Sequence, residues 1–382
     1  MKAVQILLVE HEGVEGLYPF ALTHCSWEMR TGLYTILERW QKTIPETTVS
    51  VVSHRDQHLR SFVERYPDTH AFVQAHTLLI AGNVLLSPSV MRQLVDTCVQ
   101  STSSFLVTCG GHPVGAYIAE PLPSPNHAID HLESLDADAC PTVECTGTII
   151  NRLWQTLDHI DASITWDARL VDRLISSSAT VHTTAVLDDS AGPIIIDDGA
   201  RVDPFVVVKG PVAIGRDTTV KPHASLNAVA IGPTCRVAGE CANSIIQGFT
   251  NKAHDGFLGH SYLGEWVNLG AGTTTSNLKN TYGHINVDMP WGTEDTQRMF
   301  IGLMIGDHSK AGIGTMFSTG TVCGVSNNIV SVGPPPKSIG SFRWLDEPYN
   351  VNKAIAVMHT VMGRRGMQLG PETEALLRYL AG

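Results

Sequence analysis

At 382 residues the chain exceeds one ordinary core, and two domains are the starting expectation. Its 43% hydrophobic and 16% charged residues exclude disorder as the main state. A formal net charge of −11 without a long Lys/Arg run argues against nucleic acid or an anionic membrane as the main partner, while small anionic substrates stay open.

Val4 to Val9 reads as a buried first strand: Glu10, His11 and Glu12 interrupt the apolar run too early for a signal peptide. No stretch approaches the ~18 apolar residues that would span a bilayer. A helix is expected over Leu33 to Lys42, a strand over Val49 to Ser53, a helix over Gln57 to Tyr66, a strand over Thr77 to Ala81 and a helix over Ser89 to Gln100. Phe105 to Thr108 and Ala116 to Ala119 form a hairpin around Gly110-Gly111, and a helix over Asn151 to His159 closes this half. The alternation is that of an α/β layer fold. Eight cysteines without a CxxC or paired zinc spacing read as reduced, mostly structural thiols, which fits the cytosol.

From about residue 180 the period changes. Ile196, Val202, Val208, Ile214, Val220 and Leu226 recur every six residues, which is neither the period of a strand nor that of a helix. Each hexad makes one side of a three-sided coil, with its aliphatic residue pointing inward. The repeat resumes at Leu263 and Leu269 and again at Ile305, Ala311 and Phe317, and between these two runs lies a polar excursion, about 274–298, that is expected to project as a loop. Gly333-Pro334-Pro335-Pro336 ends the ladder, and helices over Val351 to Met362 and Pro371 to Leu380 form a tail. The expected domains are 1–175, 176–340 and 341–382.

The segment from His254 to Thr273 carries a resemblance. It is similar to the acetyltransferase half of the bifunctional glucosamine-1-phosphate N-acetyltransferase/N-acetylglucosamine-1-phosphate uridyltransferases. In that family a catalytic His stands five residues before a Gly and fourteen before the Asn of an Asn-aliphatic-Gly-Ala-Gly-Thr run; His254, Gly259 and Asn268 hold those positions, and Asn277 matches a second Asn. Phe257 replaces the family Tyr, and the family's substrate Lys has no counterpart at its own position. The wording around Ser244 to Gly248, Leu278 to Gly283 and Gly306 to Lys310 looks closer still to a second bacterial branch of sugar nucleotidyltransferases.

The resemblance implies a nucleotidyltransferase-like α/β domain followed by a left-handed parallel β-helix that trimerises, with active sites between subunits. It implies acetyl transfer from acetyl-CoA to an amino-sugar 1-phosphate, followed by UTP-dependent activation. His254 is the candidate base, because an amine that is ammonium at neutral pH must lose a proton before it attacks a thioester. Asn268 and Asn277 would orient the sugar, and Lys252 and Lys279 would hold its phosphate. For the acetyl-CoA side the candidates are Ala271 and Gly306 on the coil, with Lys310, Arg364 and Arg365 for the phosphates. Gly270-Ala271-Gly272 would let a substrate approach the backbone.

In the front half the expected Gly-rich phosphate loop is replaced by Glu10-His11-Glu12-Gly13-Val14-Glu15-Gly16. The Gly-Asp pair that would hold Mg²⁺ is Gly82-Asn83, which makes Asn83 a weak metal candidate. Arg30 is assigned to phosphate contact, and Thr146-Gly147 near Asn151 to the sugar end. A rival reading is a non-catalytic trimeric sugar-nucleotide-binding scaffold with a degenerate front domain. Zinc held by His254, His260 and His223 is a further comparison, although residues six apart lie on successive sides of the coil and diverge.

Overall fold

The computed structural model describes residues 4–10, 13–70, 72, 76–125, 127, 140–344 and 346–382. The front half holds strands β1 (Val4–Val9), β2 (Val49–Val52), β3 (His76–Ala81), β4 (Val84–Leu86), β5 (Phe105–Cys109), β6 (His112–Ile118), β7 (Thr142–Cys145) and β8 (Gly147–Ile149). Six of them form one sheet in the order β2-β1-β3-β6-β5-β7, and β4 pairs with β8 apart from it. β1 runs parallel to β2 and β3, whereas β6 is antiparallel to both β3 and β5. Alternate residues of the central strands enter two cores, Ile6, Leu8, Leu78 and Ile80 on one face and Leu7 and Leu79 on the other.

Helices α1 (Ile36–Thr43), α2 (Asp56–Arg65) and α3 (Pro88–Gln100) belong to this layer. α1 starts three residues later than the sequence pattern suggests, because Thr35 caps it: its hydroxyl accepts from the Glu38 N–H while the Glu38 carboxylate accepts from the Thr35 N–H. The hairpin is longer than expected, since Gly110 and Gly111, at φ 59° and 76°, join β5 to β6 directly. The closing helix is a 3-10 turn over Leu153–His159 that continues into α4 (Ile160–Asp167).

Behind this layer the chain winds into a parallel β-helix with three faces. One face stacks residues 186–188, 207–209, 225–227, 240–242 and 257–259. The second stacks 194–196, 212–214, 229–231, 244–246, 262–263, 303–305 and 321–323. The third stacks 180–181, 201–202, 219–220, 236–237, 251–252, 268–269, 310–311 and 328–329. All the aliphatic residues of the six-residue period are buried in the one core that fills this prism. The corner between the second and third faces is turned by residues in the left-handed region, and there Phe249, Trp266 and His308 stack on one another from coil to coil.

The two halves are packed together. Ile195, Ala213, Ala230, Ile245, Tyr262, Met304 and Val322 are the outward residues of successive coils on the second face, and all of them join the front-domain core. The polar excursion does not project freely: it forms a hairpin of Asn286–Met289 and Gly292–Asp295 whose Ile285 and Val287 are fully buried against the same core. Arg152 clamps it from the front domain through Glu294, at 2.7 and 3.0 Å.

The tail returns to both halves. Met358 and Met362 of α5 (Val351–Gly363) pack with Trp266, Val325 and Phe342 of the coil. The N-terminus of α6 (Pro371–Leu380) is capped by Glu64 of α2, which accepts from the Glu372 and Thr373 N–H groups at 3.0 and 2.9 Å. No helix among the described residues is long and apolar enough to cross a membrane.

A buried ionic cluster joins the halves beside this strap. His24 lies between Glu28 (3.1 Å) and Asp307 of the coil (2.9 Å), Arg65 meets Glu28 at 2.7 Å, and Thr23 donates to Asp307. Burial alone would push the His24 imidazole down, but the Asp307 and Glu28 carboxylates override it and hold its pKa at about 10, above the ordinary 6.5. The stabilisation this histidine supplies is complete below pH 6.5 and is lost as the pH rises through about 10. Thermal melts should show Tm falling between pH 7 and pH 10, and a His24→Gln chain should melt lower at pH 7 and show a flatter alkaline slope.

Candidate functional site

The third face carries a polar row. Arg236, Asn251, Asn268 and Lys310 pair in register on successive coils, each immediately before an inward residue. Together with the tail they wall a groove of about 680 Å³ that is also lined by His254, Trp266, Gly270, Ala271, Arg364 and Arg365. Of the residues expected at the site, His254, Asn268, Ala271, Lys310, Arg364 and Arg365 thus share one groove.

Four of its lining side chains are basic, Arg236, Lys310, Arg364 and Arg365, and no carboxylate is among the described residues that line it. In a chain of net charge −11 this is a local reversal of sign. Burial depresses the Lys310 ammonium to about 8, and its Nζ donates to the His308 carbonyl at 2.9 Å. Burial and the neighbouring Arg236 likewise pull Arg365 below its ordinary value. Arg365 is held by the Thr234 carbonyl at 2.6 Å and Asn251 Oδ1 at 2.7 Å, and it stands 5.5 Å over the Trp266 ring. Each of these contacts fixes a cation without neutralising it, so an anion entering the groove meets charges already in place.

The His254 ring is exposed to the groove. Its backbone is anchored from inside the prism: Lys252 Nζ donates to the His254 carbonyl at 3.0 Å and to that of Ala238 at 2.9 Å.

This contact corrects the assignment of Lys252 to a substrate phosphate. Lys252 occupies the inward position held by Val237 and Leu269 on the neighbouring coils and is 2% exposed, so its ammonium cannot meet a ligand in the groove.

Arg30 is also corrected. It is buried between the halves, donating to the Gln247 carbonyl at 3.1 Å and to that of Leu33. Gly306 turns a corner against Val325, 2.9 Å from where a side chain would begin, and it does not line the groove. Gly270 lies against Gly312 of the next coil, with only 2.7 Å for an added Cβ, so its smallness serves coil stacking and not substrate approach.

Asn277 stands apart from Asn268, bonded to His260 Nδ1 at 2.9 Å. Lys279 lies in the excursion, donating to the His284 carbonyl. The three histidines weighed for zinc are dispersed: His254 faces the groove, His260 stacks on Phe300, and His223 stacks on Phe205.

The front domain offers little to a metal or a triphosphate. His11 and Glu12 of the loop after β1 lie outside the described residues. Glu10 is 2% exposed, its carboxylate accepting from Ser53 Oγ, the Ser26 N–H and Arg55 Nε and Nη2 at 2.5 to 2.8 Å. The space beyond β3 is filled by Ser26 and Trp27, whose atoms lie 2.5 and 3.1 Å from a Cβ placed on Gly82. Asn83 donates its amide to the Ile150 carbonyl at 3.0 Å. Among the described residues the donors at these strand ends do not fit Mg²⁺, because the Glu10 carboxylate is engaged by Arg55 and the Asn83 amide by the backbone. Thr146 and Asn151 remain exposed.

Residues 6–174 match the family model described as sugar nucleotidyl transferase. Among curated proteins, the bifunctional protein GlmU of Synechococcus elongatus is 32% identical over 142 residues, covering 36% of this chain and 26% of that protein. GlmU of Xylella fastidiosa is 26% identical over 216 residues, covering 45% of this chain and 44% of that one. These stretches of the chain are similar to GlmU. The GlmU-like stretches nevertheless span less than half the length of these relatives. Among solved structures, a mutant perosamine N-acetyltransferase from Caulobacter crescentus, in complex with CoA and GDP-perosamine, is similar at 11% identity with a TM-score of 0.20, over 90% of this chain and 94% of that one.

Proposed function

We propose that the chain transfers an acetyl group from acetyl-CoA to the amine of an amino-sugar 1-phosphate, with glucosamine 1-phosphate the expected acceptor. The groove on the third face is the site, and the chain acts as a cytosolic homotrimer whose neighbouring subunits complete it. One observation carries this reading: an exposed imidazole stands in the same groove as four basic side chains, with no carboxylate among the described residues that line it.

His254 accepts a proton from the substrate ammonium as the nitrogen attacks the thioester carbonyl. The tetrahedral intermediate then loses a second N–H proton to bulk water and expels the CoA thiolate, which takes the first proton back from the imidazolium, leaving the amide, the free thiol and one proton released to solvent. Asn268 hydrogen-bonds the sugar, and Arg236, Lys310, Arg364 and Arg365 hold the phosphates of the two substrates. The test is thiol release: purified chain with acetyl-CoA and glucosamine 1-phosphate should free CoA thiol in proportion to acceptor. A chain that releases none, while still binding the sugar phosphate, would be the non-catalytic scaffold.

A different reading is favoured for the front half. The engaged Glu10, the Ser26-Trp27 filling and the committed Asn83 amide support a packing and binding module without uridylyl transfer. With UTP, Mg²⁺ and N-acetylglucosamine 1-phosphate, no pyrophosphate should appear above a protein-free blank. Pyrophosphate formed at a rate proportional to protein would overturn this.

A further inference from the structure

Trp266 also lines a second cavity, of about 290 Å³, formed where α2, the coil and the tail meet. Ligand pockets run from roughly 300 to 1,000 Å³, so this one suits a molecule much smaller than a nucleotide. One side is apolar, formed by Trp266, Met362, Met367, Leu369 and Leu377. The other side borders the ionic cluster.

The cluster leaves two polar groups unmatched. Glu28 and Asp307 are answered by Arg65 and His24, but Glu265, which also lines the cavity, is a third carboxyl with no cation of its own. Among the described residues no hydrogen bond reaches its carboxyl, and its contacts are made by the backbone: the N–H donates to Asp307 at 2.8 Å and the carbonyl accepts from the His308 N–H at 2.9 Å. Burial holds that carboxyl above its ordinary range. Arg65, bound to Glu28 through Nη1 and to the Ser61 carbonyl through Nε, keeps a buried Nη2 without a partner. Buried polar groups left unmatched are costly, and their usual explanation is something that fills the space beside them.

We propose that this cavity binds a small molecule with an ammonium, an adjacent carboxylate and an apolar body, the chemistry of a free apolar α-amino acid. The ammonium meets Glu265, the carboxylate accepts from Arg65 Nη2, and the side chain lies against Trp266 and the methionine and leucine side chains of the tail. Met362 faces this cavity while the adjoining Val361 and the nearby Arg365 face the groove, so the tail touches both sites.

Isothermal titration of the full chain with L-leucine, without CoA or sugar, tests the proposal separately from acetyl transfer. Saturable binding is expected, at least tenfold tighter than for isoamylamine, which lacks the carboxylate, or 4-methylpentanoic acid, which lacks the amine. Glu265→Gln, which keeps the shape, should weaken leucine at least tenfold. Met367→Trp, at a residue already 36% exposed, should do the same by filling the space and decides the matter if the first variant fails to fold. Absence of saturable leucine binding, equal binding of the two comparators, or unchanged binding in a folded variant would overturn it.

Discussion

Replacing His254 with alanine should lower kcat for thiol release by about 10²- to 10⁴-fold, the range that a positioned acid or base contributes. KM for the sugar phosphate should change little, because the cations that hold it are other residues of the groove. Tm should also stay near that of the wild type: the ring is exposed, and among the described residues nothing hydrogen-bonds it. Surface substitutions of that kind fall within roughly 0.5 kcal/mol of neutral. The separation of rate from stability is what makes the variant informative. A chain in which His254→Ala retains wild-type kcat would place the proton transfer elsewhere and remove the central element of the proposed mechanism.

The parts of this molecule that were legible in the sequence are those set by local patterns. β1 and β3 follow from short apolar runs, and the prism from a single inward residue in each hexad. What escaped is the covering of the second face. Ile194-Ile195-Ile196, Val212-Ala213-Ile214 and Val229-Ala230-Ile231 are unbroken apolar triplets, the form taken by strands buried on both sides. Their middle residues turn outward and meet the front domain. The excursion departs from the expected free loop for a related reason, since Ile285, Val287 and Met289 alternate as in a half-buried strand within a polar setting.

In the groove, His254 and Asn268 are the residues that the resemblance points to, whereas Arg236 and Asn251 line it with no sequence motif to mark them. The signal for them is structural: they precede inward residues of the third face, but coil lengths vary, and the excursion separates Asn268 from Lys310. Lys252 misled because a lysine two residues from a candidate base suggests a phosphate ligand, while the coil register turns it inward. Arg30 misled because its partner, Gln247, is remote in sequence.

The largest stability effect is expected in the front half, at Arg39. Its guanidinium meets Asp167 through two contacts, Nε to Oδ1 at 2.7 Å and Nη2 to Oδ2 at 3.0 Å, and both side chains are 0% exposed. Nη1 donates to Thr31, and the Asp167 carboxylate also accepts from the Tyr34 N–H. The pair ties α1 to the end of α4, which itself packs on the coil. Arg39→Met removes the cation and leaves a carboxylate stranded in the core, which should cost about 3–5 kcal/mol. Asp167→Leu strands the guanidinium and should cost a similar amount. The double variant, with no buried charge left, should recover much of that loss, since a buried pair replaced by apolar groups of similar volume is often close to neutral. Urea melts of the four chains give the coupling directly. If the double variant is as unstable as the sum of the singles, the ion pair is not the link between these helices, and the loss belongs to packing around Trp166, over which Arg39 lies at 6.0 Å.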